Sequence, residues 1–332
     1  MPDLLPGDPS ASAMPGSAPG VAPPGMVWIP GGTFRMGSND HYVEEAPVHR
    51  AAVDGFWIDE TPVTNAQFAA FVAATGHVTA AETPPDPKLY PGALPHMIYA
   101  GSLVFRKTKG AVDLTQWGLW WEMRRGAWWR EPYGPGSSIE ALGQHPVVHV
   151  AHADAAAYAR WAGKDLPTEA EWECAARGGL DGAPFAWGSS MRPGGKIMAN
   201  TWQGAFPYKN TKEDGWEATS PVRSFPANGF GLFDMIGNVW EWTQDFWMPR
   251  HAEDAAKTCC IPQNPRAALT DASYDPTQPE IRIPRRVLKG GSFLCAPNHC
   301  RRYRPAARHP EAEDTSTCHV GFRCVARPGA AG

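Results

Sequence analysis

Glycine and proline each occur 34 times in 332 residues, and they are spread through the body of the chain among fifteen tryptophans. Proline lacks the amide hydrogen that a helix interior or a central strand needs, and glycine costs order wherever it sits inside a regular element. A chain punctuated this often cannot be built from long helices or wide sheets. Its buried area has to come from aromatic side chains packed over irregular backbone. The expected class is therefore α+β with little regular secondary structure and with functional groups carried on loops. Residues 1–25, rich in Pro, Gly, Ser and Ala, lack the apolar content to fold and read as a disordered tail. No second linker of that kind is present, so residues 26–332 read as one domain.

Local signals agree with this. Met26 to Gly37 reads as two short strands joined by Pro30-Gly31-Gly32, and Ala51 to Ile58 as one further strand. Thr64 is placed to cap a helix that carries Phe68, Phe71 and Val72 and stops at Gly76. A second helix is expected over about 154–162, ending near Gly163. A third is expected from the capping-box pair Thr168 and Glu171 through Trp172 and Cys174 to Gly178-Gly179. Beyond Gly179 the pattern gives only strand-like pieces between turns.

A net charge of −4 and a pI near 6.3 provide no basic footprint for nucleic acid or an anionic membrane. No run of about 18 apolar residues is present to span a bilayer. The N-terminus lacks a basic segment followed by an apolar one, and the seven cysteines cannot all pair within the chain. The expectation is a cytoplasmic, monomeric protein with reduced thiols, in which a cysteine pair is more often metal-binding or catalytic than structural.

All seven cysteines lie in the second half: Cys174, Cys259, Cys260, Cys295, Cys300, Cys318 and Cys324. Cys295 and Cys300, with four residues between them behind Gly290-Gly291-Ser292, suggest a soft-metal or redox site; the competing reading is a pair of small buried hydrophobes. Cys174 and Cys324 are expected in the core. Cys259-Cys260, in the Pro-rich segment from Thr258 to Pro284, are expected to be structural or incidental, and Cys318 beside His319 stays open. The aromatic run Trp117, Trp120, Trp121, Trp128 and Trp129 is expected to pack over irregular backbone, with a peptide groove as the alternative.

Five stretches carry a specific resemblance: Gly31 to Gly37 (GGTFRMG), Leu166 to Glu173 (LPTEAEWE), Gly237 to Trp242 (GNVWEW), Arg286 to Ser292 (RVLKGGS) and Gly321 to Cys324 (GFRC). In this order, over roughly Met26 to Arg327, they resemble the formylglycine-generating enzyme family, also called sulfatase-modifying factors. The resemblance implies a C-type-lectin-like fold, a feature shared with non-enzymes and with iron-dependent ergothioneine sulfoxide synthases. The cysteine pair narrows it, as do Ala199 to Gly204 and Arg301 to Arg308, which are similar to the oxidising members. No histidine-rich upstream domain of the iron enzymes is found.

The resemblance also implies a chemistry and a set of site residues. Cys295 and Cys300 would hold Cu(I), and a substrate thiolate would complete the metal for reaction with O2. A cysteine in a Cys-x-Pro-x-Arg segment of an unfolded sulfatase polypeptide would become Cα-formylglycine by way of a thioaldehyde. Ser292 would be the active-site serine, its other reading being a turn serine after Gly-Gly. Trp240, His299 and His319 would lie in the substrate pocket, with core packing the other reading for Trp240. Two structural Ca2+ ions are implied, one held by Asn200, Thr201, Asp214 and Trp216, the other by Asp234, Gly237, Val239 and Glu241. The other reading of those residues is turn-forming Asx side chains and a surface glutamate. The chain departs from the family where His299 replaces a usual tyrosine, His319 a common asparagine and Asp234 a frequent asparagine. Two alternatives stand beside the leading function: a paralogous copper and thiol oxidase acting on another cysteine-containing substrate, and a non-catalytic lectin-like binding module.

Overall fold

The computed structural model describes residues 18, 20–252, 255 and 261–328. Most of the expected tail and the Cys259-Cys260 pair lie outside these residues. The first strand, β1, starts at Met26. Regular elements are short and few: eleven strands and three α-helices among the described residues.

The strands form four small sheets. β1 (Met26–Ile29), β4 (Phe56–Asp59) and β11 (Val325–Ala326) make one. β10 (Val320–Gly321), β7 (Trp240–Phe246), β8 (Arg285–Lys289) and β9 (Arg308–Ala312) make the largest, in that order. β2 (Gly32–Met36) pairs with β3 (His49–Val53), and β5 (Gly101–Phe105) with β6 (Trp121–Arg125). The two short strands expected over Met26 to Gly37 are present, joined at Pro30-Gly31, and each pairs with a different strand; one expectation is corrected. The strand expected over Ala51 to Ile58 is two, broken at Asp54-Gly55; a Cβ at Gly55 would lie 2.4 Å from the Trp28 ring, so the chain turns where only glycine fits.

The helices follow their capping signals. α1 (Asn65–Thr75) has the Thr64–Gln67 capping box and ends on Gly76 with φ 68°. α2 (His152–Trp161) begins two residues before the expected start, with Asp154 accepting from the Ala151 amide at 2.9 Å. α3 (Glu169–Arg177) has the Thr168–Glu171 box and a left-handed Gly178. It is buried along its whole length, which its acidic sequence does not suggest.

Those acids are paired. Glu173, fully buried, binds Arg177 at 2.7 Å and Lys289 at 2.9 Å and accepts from the Gly37 amide at 2.8 Å. Glu169 meets Arg308 at 2.7 Å, and Glu171 meets Arg327 at 2.7 Å. Glu241 is held by Arg323 at 2.8 Å and by the Trp172 indole at 2.7 Å. All of the resembling stretches thus meet in one buried ionic hub, tying α3 to β7, β8, the end of β2 and the approach to β11. Around it pack apolar clusters, one including Cys174 and Met235, another Phe68, Trp242, Phe322 and Cys324.

Candidate active site

β8 delivers the chain from the hub to the cysteines. After Lys289, Gly290 and Gly291 take φ 94° and 72°; a Cβ at Gly290 would meet the Met235 carbonyl at 2.9 Å, and one at Gly291 the Arg302 carbonyl at 2.8 Å. Only glycine allows this tight reversal. The Cys295 amide then donates to the Ser292 carbonyl at 2.9 Å, and the Cys300 amide to the Ala296 carbonyl at 2.9 Å. Two successive turns fold Cys300 back on Cys295, with the sulfurs 3.2 Å apart. Both thiols are free.

The two sulfurs are not equivalent. Cys295 is buried and receives the Ser292 amide at 3.4 Å, and burial together with the neighbouring Cys300 holds its thiol protonated. Cys300 is half-buried. The hydrogen bond from Cys295 lowers it to about 6, with help from the Arg302 guanidinium, against the opposing effect of burial. The pair therefore holds one proton near neutral pH, with the negative charge on Cys300. Arg302 is itself anchored by Glu44 and stacks 3.9 Å over the Tyr42 ring.

Cys295, Cys300, Ser292, Trp240, His299 and His319 line one cavity of about 490 Å3. The structure thus brings together every expected catalytic and pocket residue. The Ser292 hydroxyl accepts from the Leu294 amide at 3.2 Å, which fixes the turn and leaves its own hydrogen free to donate. His299 is exposed at the rim, stacked on Phe206 at 4.5 Å and 3°. Parallel pairing of β10 with β7 sets His319 beside Trp240. The His319 ring packs 4.9 Å from Trp121, hydrogen-bonds Thr317, and is pushed by burial to about 3, so it stays neutral. Cys318 points away from the cavity into a cluster with Trp120, Trp202 and Phe293, and burial lifts it to about 12. The aromatic run divides: Trp117, Trp120 and Trp121 line the cavity, whereas Trp129 and Trp128 pack with Phe68.

Sequence reasoning gave no site role to Arg302, His309 or Glu311, which also line the cavity. His309 and Glu311 alternate on β9 and so share a face. That alternation was available in the sequence, but nothing there placed β9 beside the cysteines. A second cavity, of about 510 Å3, lies beside α3 with a largely apolar lining that includes Met36, Met248, Ile261 and Leu269. It contains none of the expected site residues.

The sulfur pair offers two soft donors at a cavity wall, the ligand type that selects a soft cation. The first expected calcium set also fits its ion: Asp214 Oδ1 accepts from the Trp216 amide at 3.0 Å, and Oδ2 is buried without a partner. In the second set, Glu241 already accepts from Arg323 and Trp172, so a cation would use its remaining lone pair and lean on Asp234. Asp234 is buried, its Oδ2 accepts from the Arg223 amide at 2.9 Å, and burial raises it to about 6.

Residues 11–328 match the model of the sulfatase-modifying factor enzyme 1-like domain, and the chain belongs to that family. It is 56% identical to the formylglycine-generating enzyme of Mycobacterium tuberculosis over 91% of this chain and 98% of the relative, and 46% identical to that of Thermomonospora curvata over 92% and 94%. It is also 36% identical, over 92% and 88%, to the inactive C-alpha-formylglycine-generating enzyme 2 of Bos taurus. Among solved structures, PvdO from Pseudomonas aeruginosa superposes with a TM-score of 0.59 at 24% identity, covering 90% of this chain and 93% of that one. This confirms the expected fold: a single α+β domain of the formylglycine-generating-enzyme type with little regular structure. Because active and inactive relatives share it, activity has to be argued from the cavity.

Proposed function

We propose that the protein is a copper-dependent oxidase that converts a cysteine in a sulfatase Cys-x-Pro-x-Arg segment to Cα-formylglycine. Membership of an enzyme family of sulfatase activation, with relatives bearing that name, supports the coarser statement that it is a sulfatase-modifying enzyme. The observation that carries the finer reading is the reduced Cys295–Cys300 contact at 3.2 Å in the wall of a cavity large enough for a peptide segment.

Cys295 and Cys300 would hold Cu(I), which supplies one-electron chemistry with O2. For the whole reaction, the substrate's CH2–SH carbon loses two electrons and O2 takes up four, so an external two-electron reductant such as a thiol must supply the rest; sulfur leaves as sulfide and one oxygen leaves as water. The chain's own residues prepare this. Arg302 helps keep Cys300 anionic, so one ligand is ready before metal arrives. Ser292 presents a hydroxyl donor beside Cys295, and Trp120, Trp121 and Phe206 exclude water along the cavity. His319, neutral and bonded to Thr317, offers its remaining ring nitrogen to the peptide backbone. Two Ca2+ ions, at Asn200, Thr201, Asp214 and Trp216 and at Asp234, Gly237, Val239 and Glu241, would staple the loops under the cavity. The Asn238 amide donates to the Asn200 carbonyl at 2.9 Å, linking the two sets. We place this chemistry in the cytoplasm on a monomer.

Incubation with Cu(I), a thiol reductant, air and a Cys-x-Pro-x-Arg peptide should give the aldehyde, read by mass spectrometry. Tight Cu(I) binding without aldehyde would point to the paralogous oxidase, and absence of both to the binding module.

A further inference from the structure

The cavity of about 510 Å3 beside α3 has no part in the chemistry proposed above. Most of its wall is apolar, but four side chains on it carry lone pairs. They are Met36 at the end of β2, His49 at the start of β3, and Met248 and His251 in the stretch that follows β7.

Local structure brings these four together. Met36 and His49 are cross-strand partners in the β2–β3 ladder, so their side chains stand side by side on one face. The His251 ring lies edge-on to the His49 ring with centroids 4.9 Å apart. Its backbone amide donates to the Ala46 carbonyl at 3.1 Å, which ties it to the chain just before β3. Met248 is three residues earlier, and its carbonyl accepts from Arg308 at 3.0 Å. Its three rotatable bonds let a methionine sulfur swing to suit a ligand.

The two imidazoles are set up as acceptors. A carbonyl can only accept, so the 2.9 Å contact between His49 Nδ1 and the Pro47 carbonyl puts the ring hydrogen on Nδ1. The lone pair of the neutral ring is then on Nε2. Metal-binding histidines are oriented in this way, by giving the other ring hydrogen to a carbonyl or carboxylate. In His251, Nε2 is buried with no hydrogen-bond partner among the described residues. Burial, with Arg308, His49 and Lys289 adding to it, keeps that ring neutral.

The donors decide what could answer them. A hard divalent ion needs several oxygens, and the carboxylates on this wall, Glu169 and Asp245, are already bound by Arg308 and Arg266. No three of the described His, Cys, Asp and Glu residues come together as a metal site, so an ion here has to draw on the thioethers. Imidazole and thioether together suit Cu(I), and a single positive charge is the one least opposed by the arginines nearby.

We propose that His49 and His251, with the thioethers of Met36 and Met248, form a second soft-cation site of the Cu(I) class. It is separate from the cysteine pair and does not require that the cysteines react. Arg308 lines this cavity and His309, the next residue on β9, lines the cysteine cavity, so the start of β9 is the wall between them. Its four neutral donors hold the ion less tightly than a pair that includes a thiolate, so a competing chelator empties it first.

The test removes the thiols that would compete. A full-length Cys259→Ser/Cys260→Ser/Cys295→Ser/Cys300→Ser protein is dialysed anaerobically against Cu(I), and the bound metal is counted and examined by X-ray absorption. One weakly held Cu(I) per chain is expected, with imidazole nitrogen and sulfur in its first shell. Adding His49→Phe, which keeps a ring against His251, should weaken binding by at least about tenfold, and Met248→Leu should reduce the sulfur signal. No bound copper in the quadruple variant would overturn the proposal. So would an all-sulfur shell, which would put the metal on the remaining cysteines, or unchanged binding in a folded His49→Phe protein. Since the quadruple variant alone can refute it, a misfolded histidine variant does not shield it. In a Cys259→Ser/Cys260→Ser protein, loss of the tight equivalent with the weak one retained would strike the proposed copper oxidase and leave this site standing.

Discussion

The ionic hub under α3 and the cysteine cavity stand a few residues apart on β8, and they treat polar groups in opposite ways. In the hub each buried charge is answered: Glu173 alone has Arg177, Lys289 and the Gly37 amide. In the cavity the groups are left short. Cys300 carries a charge next to a protonated thiol, and among the described residues His309 Nδ1 has no hydrogen-bond partner and Glu311 forms no ion pair. Closed networks make rigid scaffolds, whereas unanswered groups in a concave site wait for a ligand. The most recognisable stretches of this sequence therefore encode the scaffold, and the chemistry sits in a less regular loop attached to it.

The contrast can be broken first at the cavity. Cys300→Ser should abolish aldehyde formation while leaving the melting temperature within about a degree or two, because a half-buried thiol is replaced by a near-isostere. A large loss of stability would put Cys300 with the scaffold. The hub should answer in reverse. Arg323→Met strands the buried Glu241, which costs about 3–5 kcal/mol and should lower the melting temperature by on the order of 10 °C in calorimetry, whereas Lys289→Met leaves Glu173 its Arg177 partner and should cost less. Retained stability in both variants would show that the hub is not what holds α3.

Smaller effects sharpen the comparison. Chelation of calcium should cost about 2–3 kcal/mol per site at ion concentrations near a hundredfold above dissociation, visible as a lower melting temperature that added Ca2+ restores. Acid should loosen the hub. Burial alone would raise Glu173, but Lys289 and Arg177 outweigh it and hold it at about 2 against an ordinary 4.5, so its contribution is complete above the ordinary value and is lost as pH falls from there towards 2. A denaturant series between those limits should show stability declining, and a Lys289→Met protein should show a shallower decline. Last, alkylation of the metal-free protein should modify Cys300 fastest, with a rate rising through pH about 6, while Cys174 and Cys318, lifted by burial to about 12, react only on unfolding.

Much of this arrangement was legible. Caps are local chemistry, so Thr64, Thr168, Gly76 and Gly178 marked the helix ends. The cysteine turn was legible because Gly290, Gly291 and both cysteines lie within one short stretch. Pairing partners were not, since whether β1 joins β2 or β4 depends on contacts some thirty residues away. The strand over Ala51 to Ile58 was misread because its apolar residues continue past Asp54-Gly55, where the constraint comes from Trp28. His309 and Glu311 escaped notice for the same reason. Their alternation is plain, but their place in the cavity wall depends on β9 lying next to β8.

If the cavity stands apart from the scaffold as a single soft-metal centre, Cys295 and Cys300 must hold one ion between them. Competition for Cu(I) against a chromophoric chelator, with wild type, Cys295→Ser and Cys300→Ser side by side, tests this most directly. One tightly held Cu(I) per wild-type chain is expected, lost in either variant while folding is preserved. Undiminished binding in both serine variants would contradict it.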